Sequence, residues 1–129
     1  MAFILAKMDV GLTPPIEHKP VTENESIALG EALVLSGGKL TKCGATSRPT
    51  FVAVGPAVDG EAPVIRVQDY MEFESSLGVA PAEQTTVAVG NKVTLHTDGL
   101  QVTATTTSGV ATITYIAGQT VGSLVRVRF

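Results

Sequence analysis

The chain contains no tryptophan, one cysteine and two histidines. Each scarcity removes a class of chemistry. A lone cysteine, Cys43, can form neither an internal disulfide nor a multi-cysteine metal site. Burial preference makes it a small apolar core residue. His18 lies between prolines and His96 on a predicted strand, and neither has a sequence neighbour that would make it a catalytic base. Charged residues make up only 16% of the chain, and the net charge is −3. A surface so poor in charge suits packing against neighbours. A negative chain is not built to bind nucleic-acid phosphates. The apolar patch Ala2 to Ala6 has no basic segment before it and is too short for a signal core or a membrane span. These features predict a protein made and folded in a cytoplasm, with no membrane partner.

Catalytic motifs are missing as well. G-x-S-x-G, H-E-x-x-H and G-x-G-x-x-G do not occur. Glu23, Glu25, Asp69, Glu72 and Glu74 are scattered, without the acid/base pairing that glycoside chemistry needs. No dense Asp/Asn loop offers a calcium site. Gly38-Lys39 is followed by Leu40, and Leu33 stands where a Walker loop needs its first glycine. Lys39 at a turn tip has the position of a lipoyl or biotinyl lysine but not its neighbours. The sequence therefore predicts no enzyme, no catalytic residues, no cofactor and no metal.

What is present is β structure. Short runs of Val, Leu, Ile and Thr are broken by Gly, Pro, Asn or Asp roughly every eight to twelve residues. Strands are predicted at Ala32–Ser36, Lys39–Cys43, Thr50–Val54, Val64–Val67, Thr85–Val89, Lys92–Thr97, Leu100–Thr106, Ala111–Ile116 and Leu124–Phe129. Gly37-Gly38 supplies the positive φ angles of a two-residue hairpin turn. Asp98-Gly99 is a second turn dipeptide, flanked by alternating Val93, Leu95 and Leu100, Val102. Between the halves, VQDYMEFESS (67–76) fits either a short helix, with Tyr70, Phe73 and Leu77 on one side, or an extended segment.

The two hairpins align at an offset of 60 residues. IALGEALVLSGGKLTKCGATS lies over VAVGNKVTLHTDGLQVTATTT, and VIRV (64–67) lies over LVRV (124–127). Two readings are open: a duplicated β unit, or the chance agreement of alternating segments, since the turn glycines shift by one. Under the first, units 27–77 and 83–129 pack on each other.

Residues 1–26 differ from the rest. Pro14, Pro15 and Pro20 favour an extended path and disfavour a central strand. The segment reads as an arm, with an untethered tail as the alternative. Phe3, Ile4, Leu5, Met8, Pro14, Pro15 and Ile16 are its candidate contacts with a partner or neighbouring subunit. Phe129 follows the last predicted strand and is expected at a sheet edge that an assembly would cover. Arg66, Arg126 and Arg128 suit solvated faces or pairing across a subunit contact.

Ser26 to Gly55 carries a family resemblance. Gly30-Glu31 opens the apolar run Ala32-Leu33-Val34-Leu35, Gly37-Gly38 makes a turn, and Phe51-Val52-Ala53-Val54-Gly55 is a strand ending in glycine. This pattern, with the Pro-containing arm, resembles bacteriophage head decoration proteins, also called capsid cement proteins. It covers about half the chain and weakens after Leu77. The resemblance implies an all-β, sandwich-like or β-tulip-like body with an extended N-terminal arm. It also implies a homotrimer on the outside of a phage head, bound to the major capsid protein and stabilising the shell, without enzymatic activity. A carbohydrate-binding or adhesin-like module is the alternative, although such modules display aromatic platforms and this chain offers only Tyr70 and Tyr115.

Overall fold

A computed structural model describes residues 2–8 and 13–129. Every regular element in it is a strand: β1 (Ile4–Met8), β2 (Ile16–Pro20), β3 (Ala32–Ser36), β4 (Lys39–Lys42), β5 (Phe51–Ala53), β6 (Glu61–Arg66), β7 (Met71–Val79), β8 (Lys92–Val93), β9 (Val102–Thr103), β10 (Ala111–Ile116) and β11 (Leu124–Arg128). They form a six-stranded and a five-stranded sheet, stacked as a small sandwich-like body.

The five-stranded sheet runs β2-β6-β5-β3-β4. Its ends meet. Val21 bridges Leu40 in parallel, and the Thr22 amide donates to the Leu40 carbonyl at 2.9 Å. The sheet thus curls into a closed circuit. Leu33, Leu40, Phe51, Ala53 and Val64 fill one side of it, with Ile27. Successive strand residues point to opposite faces, so Val52, between Phe51 and Ala53, points the other way into the main core with Ala32 and Ile65. The larger sheet runs β1-β7-β11-β10-β8. It closes similarly: β9 pairs β7 in parallel at Leu77–Val102, and Leu95 bridges Val102. Strand β1 lies at the β7 end of this sheet.

Three regions refine or correct the sequence reading. Both strands before residue 26 are hydrogen-bonded into sheets: β1 pairs β7 and β2 pairs β6. For residues 67–76 the extended alternative holds, and the helical one does not. They lead into β7, the longest strand, at nine residues. Both its faces are covered, with Met71, Glu72, Phe73, Ser75, Ser76 and Leu77 all buried, so it shows no alternation to read. Residues 85–89 form no strand. There the Gln119 side chain takes the place of a neighbouring strand, accepting from the Val87 amide and donating to the Val87 carbonyl, both at 2.8 Å.

The 60-residue offset recurs in the backbone. The Gly30 amide donates to the Ala53 carbonyl, and the Gly90 amide to the Ile113 carbonyl, both at 2.8 Å. Glu31 to Ala28 (3.2 Å) matches Asn91 to Ala88 (3.1 Å), and Ala53 to Glu31 (3.0 Å) matches Ile113 to Asn91 (2.9 Å). Ala32 pairs Val52 as Lys92 pairs Thr112. The strand before each set also matches: β2 pairs β6 as β7 pairs β11, although β2 precedes the span 27–77 and β7 lies at its end. The match ends at the hairpin. Ser36 and Lys39 flank the two-residue Gly37-Gly38 turn, whereas Leu95 and Val102 flank a longer one.

The repeated glycines do different work. Gly30 has φ +77°, and a Cβ there would collide with the Ala2 side chain and stand 2.8 Å from the Phe3 carbonyl oxygen. Gly90 has φ +93° and open space at that position. Gly90→Ala is therefore expected to cost only the left-handed backbone penalty, about 1–2 kcal/mol. Gly30→Ala adds an overpacking penalty of roughly 1–3 kcal/mol. Chemical denaturation of the two variants side by side measures that gap.

Candidate docking surface

Of the expected contact residues, Phe3 is buried and Phe129 is half-buried against the core. Phe3 is 2% exposed, and its amide donates to the Gly30 carbonyl at 3.0 Å. Its ring meets that of Phe129 edge-on, with centroids 5.4 Å apart, and Phe129 in turn meets Phe73 at 5.4 Å. The trio joins β1, β7 and the residue after β11, so Phe3 and Phe129 hold this fold together. Leu5 and Met8 are half-buried against the same core. Pro14 is half-buried and Pro15 exposed. Ile4 and Ile16 remain outside, at 55% and 59% exposure.

Ile4 belongs to a surface that the sequence did not single out. A cavity of about 240 Å³ opens where β1 faces β5 and β6. Phe3, Ile4 and Leu5 form one wall; Leu29, Val52, Val54 and Ile65 form the others. Ile16 is the register partner of Ile65, so the two share a face of the sheet. Leu29 is 62% exposed. Ile4 and Leu29 are thus the exposed apolar side chains in the lining of this cavity at the seam between the sheets, and Ile16 is an exposed neighbour of its Ile65 wall. Leu29 carried one usable signal: it is an apolar residue placed in a turn just before a positive-φ glycine, outside any strand.

The other candidates resolve into structural roles. His96 Nδ1 accepts from the Asp98 amide at 3.2 Å and lies 3.2 Å from Asp98 Oδ1. The same carboxylate accepts from the Leu100 amide (2.8 Å) and from Gln101 Nε2 (2.9 Å), which closes the β8–β9 turn. Burial pushes the Asp98 pKa up. The Leu100 amide, Gln101 and His96 outweigh this, so Asp98 titrates below the usual aspartate range. Arg66 pairs within the chain, bidentate to Glu17 at 2.9 and 3.2 Å, with its guanidinium 4.8 Å from the Phe51 ring centroid. Arg66 holds Glu17 below the usual range against the opposing effect of burial, with help from Lys19. Arg126 repeats the arrangement with Glu74 at 3.1 Å and Tyr115. These pairs run across neighbouring strands of one subunit. Among the described residues, no three His, Cys, Asp or Glu side chains gather as a metal site, and no helix is long and apolar enough to cross a membrane.

Comparison with protein-family models, with curated proteins and with solved structures finds no match.

Cys43 is buried, and its thiol donates to the Ser47 carbonyl at 2.9 Å. Burial pushes its pKa from 9.0 up to about 11. Little thiolate therefore forms in the folded protein at neutral pH, and the thiolate is the reactive species. An Ellman-type assay at pH 8 is expected to register no thiol in the native protein and one per chain in denaturant. Stability should also fall as pH rises from about 9 through about 11, because the folded state holds the proton more tightly.

Proposed function

We propose that this chain is a structural decoration protein that attaches to the outside of a phage head and reinforces the shell, acting through surface fit without bond-breaking chemistry. The observation that carries the reading is the apolar cavity lined by exposed Ile4 and Leu29, with exposed Ile16 on the strand beside its Ile65 wall, on a body otherwise short of charge. Exposed apolar side chains grouped around a recess mark a contact surface. The resemblance of Ser26 to Gly55 to head decoration proteins supplies the partner class, the major capsid protein, and a trimeric state. Many symmetric contacts on a shell allow individually weak ones to add when geometry permits. Removing residues 2–20 would delete β1 and β2, one strand from each sheet, so point substitutions are the sharper tool.

Undecorated phage shells should carry the purified protein into the pellet on centrifugation. Ile16→Glu and Leu29→Glu change exposed side chains, so folding should survive. Each is expected to weaken the affinity for shells at least about tenfold, the effect of roughly 1.4 kcal/mol or more. Light scattering of the free protein should give the mass of a trimer. Shells that bind wild type and both variants equally would remove this surface from the reading; shells that bind none would remove the reading. An adhesin-like module draws on Tyr115, 49% exposed beside Arg126. Glycan-array binding lost in Tyr115→Ala would favour it instead.

A further inference from the structure

Glu31 is a carboxylic acid at 3% exposure, and it sits where the two β units join. Gly99, in the turn between β8 and β9, lies directly against it. The Gly99 carbonyl accepts from the Ala32 amide at 2.8 Å, and a Cβ on Gly99 would stand 3.1 Å from Glu31 Cγ. Oε1 receives a long hydrogen bond from the Ala28 amide, 3.4 Å. Oε2 is closed off from solvent and has no hydrogen-bond partner among the described residues. The equivalent residue in the second unit is neutral: Asn91 Oδ1 accepts from the Ala88 amide at 2.9 Å. The turn itself therefore does not need a charge, and the charge at position 31 stands out.

The charged groups around Glu31 are Lys42 from β4, Glu25 from the segment before β3, and Asp98 from the facing turn, with His96 bonded to Asp98. Glu25 is held by Thr41 Oγ1 (2.7 Å) and the Lys42 amide (2.6 Å). Asp98 is held by Leu100 and Gln101. An ionised Glu31 would need water or the Lys42 ammonium at Oε2, and the packed Gly99 turn keeps water out.

We propose that Glu31 is a proton-controlled latch between the two β units: protonated it keeps the join closed, and ionised it releases the Asp98–Gly99 turn from Ala32. Burial, opposed by the Ala28 amide and Lys42, pushes the Glu31 pKa above its ordinary 4.5. A folded-state pKa above the unfolded value contributes stability in full below about 4.5, and that contribution is lost as pH rises through the folded value. Asp98 has the opposite sign, steadying the turn above its ordinary 3.8 and failing only at lower pH. The latch is therefore read above pH 4.5.

The test is hydrogen exchange on the intact chain between pH 5 and 8, with rates corrected for the intrinsic chemical rate. Protection of the Ala32 amide is expected to fall with rising pH, by roughly tenfold for each pKa unit between folded and unfolded states. Amides of β10 should keep theirs. Glu31→Gln should flatten the Ala32 profile. Lys42, Glu25, Asp98 and His96 are common to both proteins and cancel in the difference. A flat wild-type profile, which needs no variant to measure, would overturn the latch. So would an unchanged slope in Glu31→Gln, or loss of protection throughout β10, which would mark global unfolding.

Discussion

The structure depends on closing each curled sheet along its own edge. A strand at an open edge leaves unpaired amides and carbonyls that recruit other chains. Here the parallel contacts Val21–Leu40 and Leu77–Val102 bring the ends of each circuit together. Without them a 129-residue chain with 16% charge would expose long β edges with few charged residues to guard them. Closure also explains the two-sided burial of β5. Its residues alternate between the interior of the first circuit and the core shared with the second.

The shared core in turn decides where contact surface remains. Phe3 is drawn inward by Phe129 and Phe73, and this fixes β1 against β7. The next residue, Ile4, is then left outward in the lining of a recess, and Ile16 stays exposed on β2. The apolar residues of the N-terminal segment thus divide into two sets, one packed against the core and one left exposed.

The hairpin β3–β4 and strands β10 and β11 could be read from the sequence almost to the residue, because Gly37-Gly38 sets the turn and Val, Ile and Thr alternate over one buried face. Strand β2 was hidden by Pro14, Pro15 and Pro20. Over Ile16–Pro20 its ladder partner is β6, the link to Leu40 coming only at Val21 and Thr22, and a proline is tolerated at such an edge. Strand β7 was hidden by double-sided burial, which erases the period of two. Strand β1 depends on β7, more than sixty residues away (Ile4 opposite Glu74), and local pattern carries no such information. The cavity escaped for a related reason. Its walls come from β1, a turn, β5 and β6, which only the closed fold brings together.

The offset of 60 residues has a consequence for how the chain reaches its native state. Two copies of one strand order on a single polypeptide give each segment two plausible neighbours, the right one and its double. Ala32 could seek Thr112 as readily as Val52 by backbone geometry alone. Side chains must break the tie: Phe51 and Ala111 fill equivalent places with very different volumes, so a swapped strand would leave a void or a clash. The difference in bulk at these matched positions is what separates the native pairing from its near-copy.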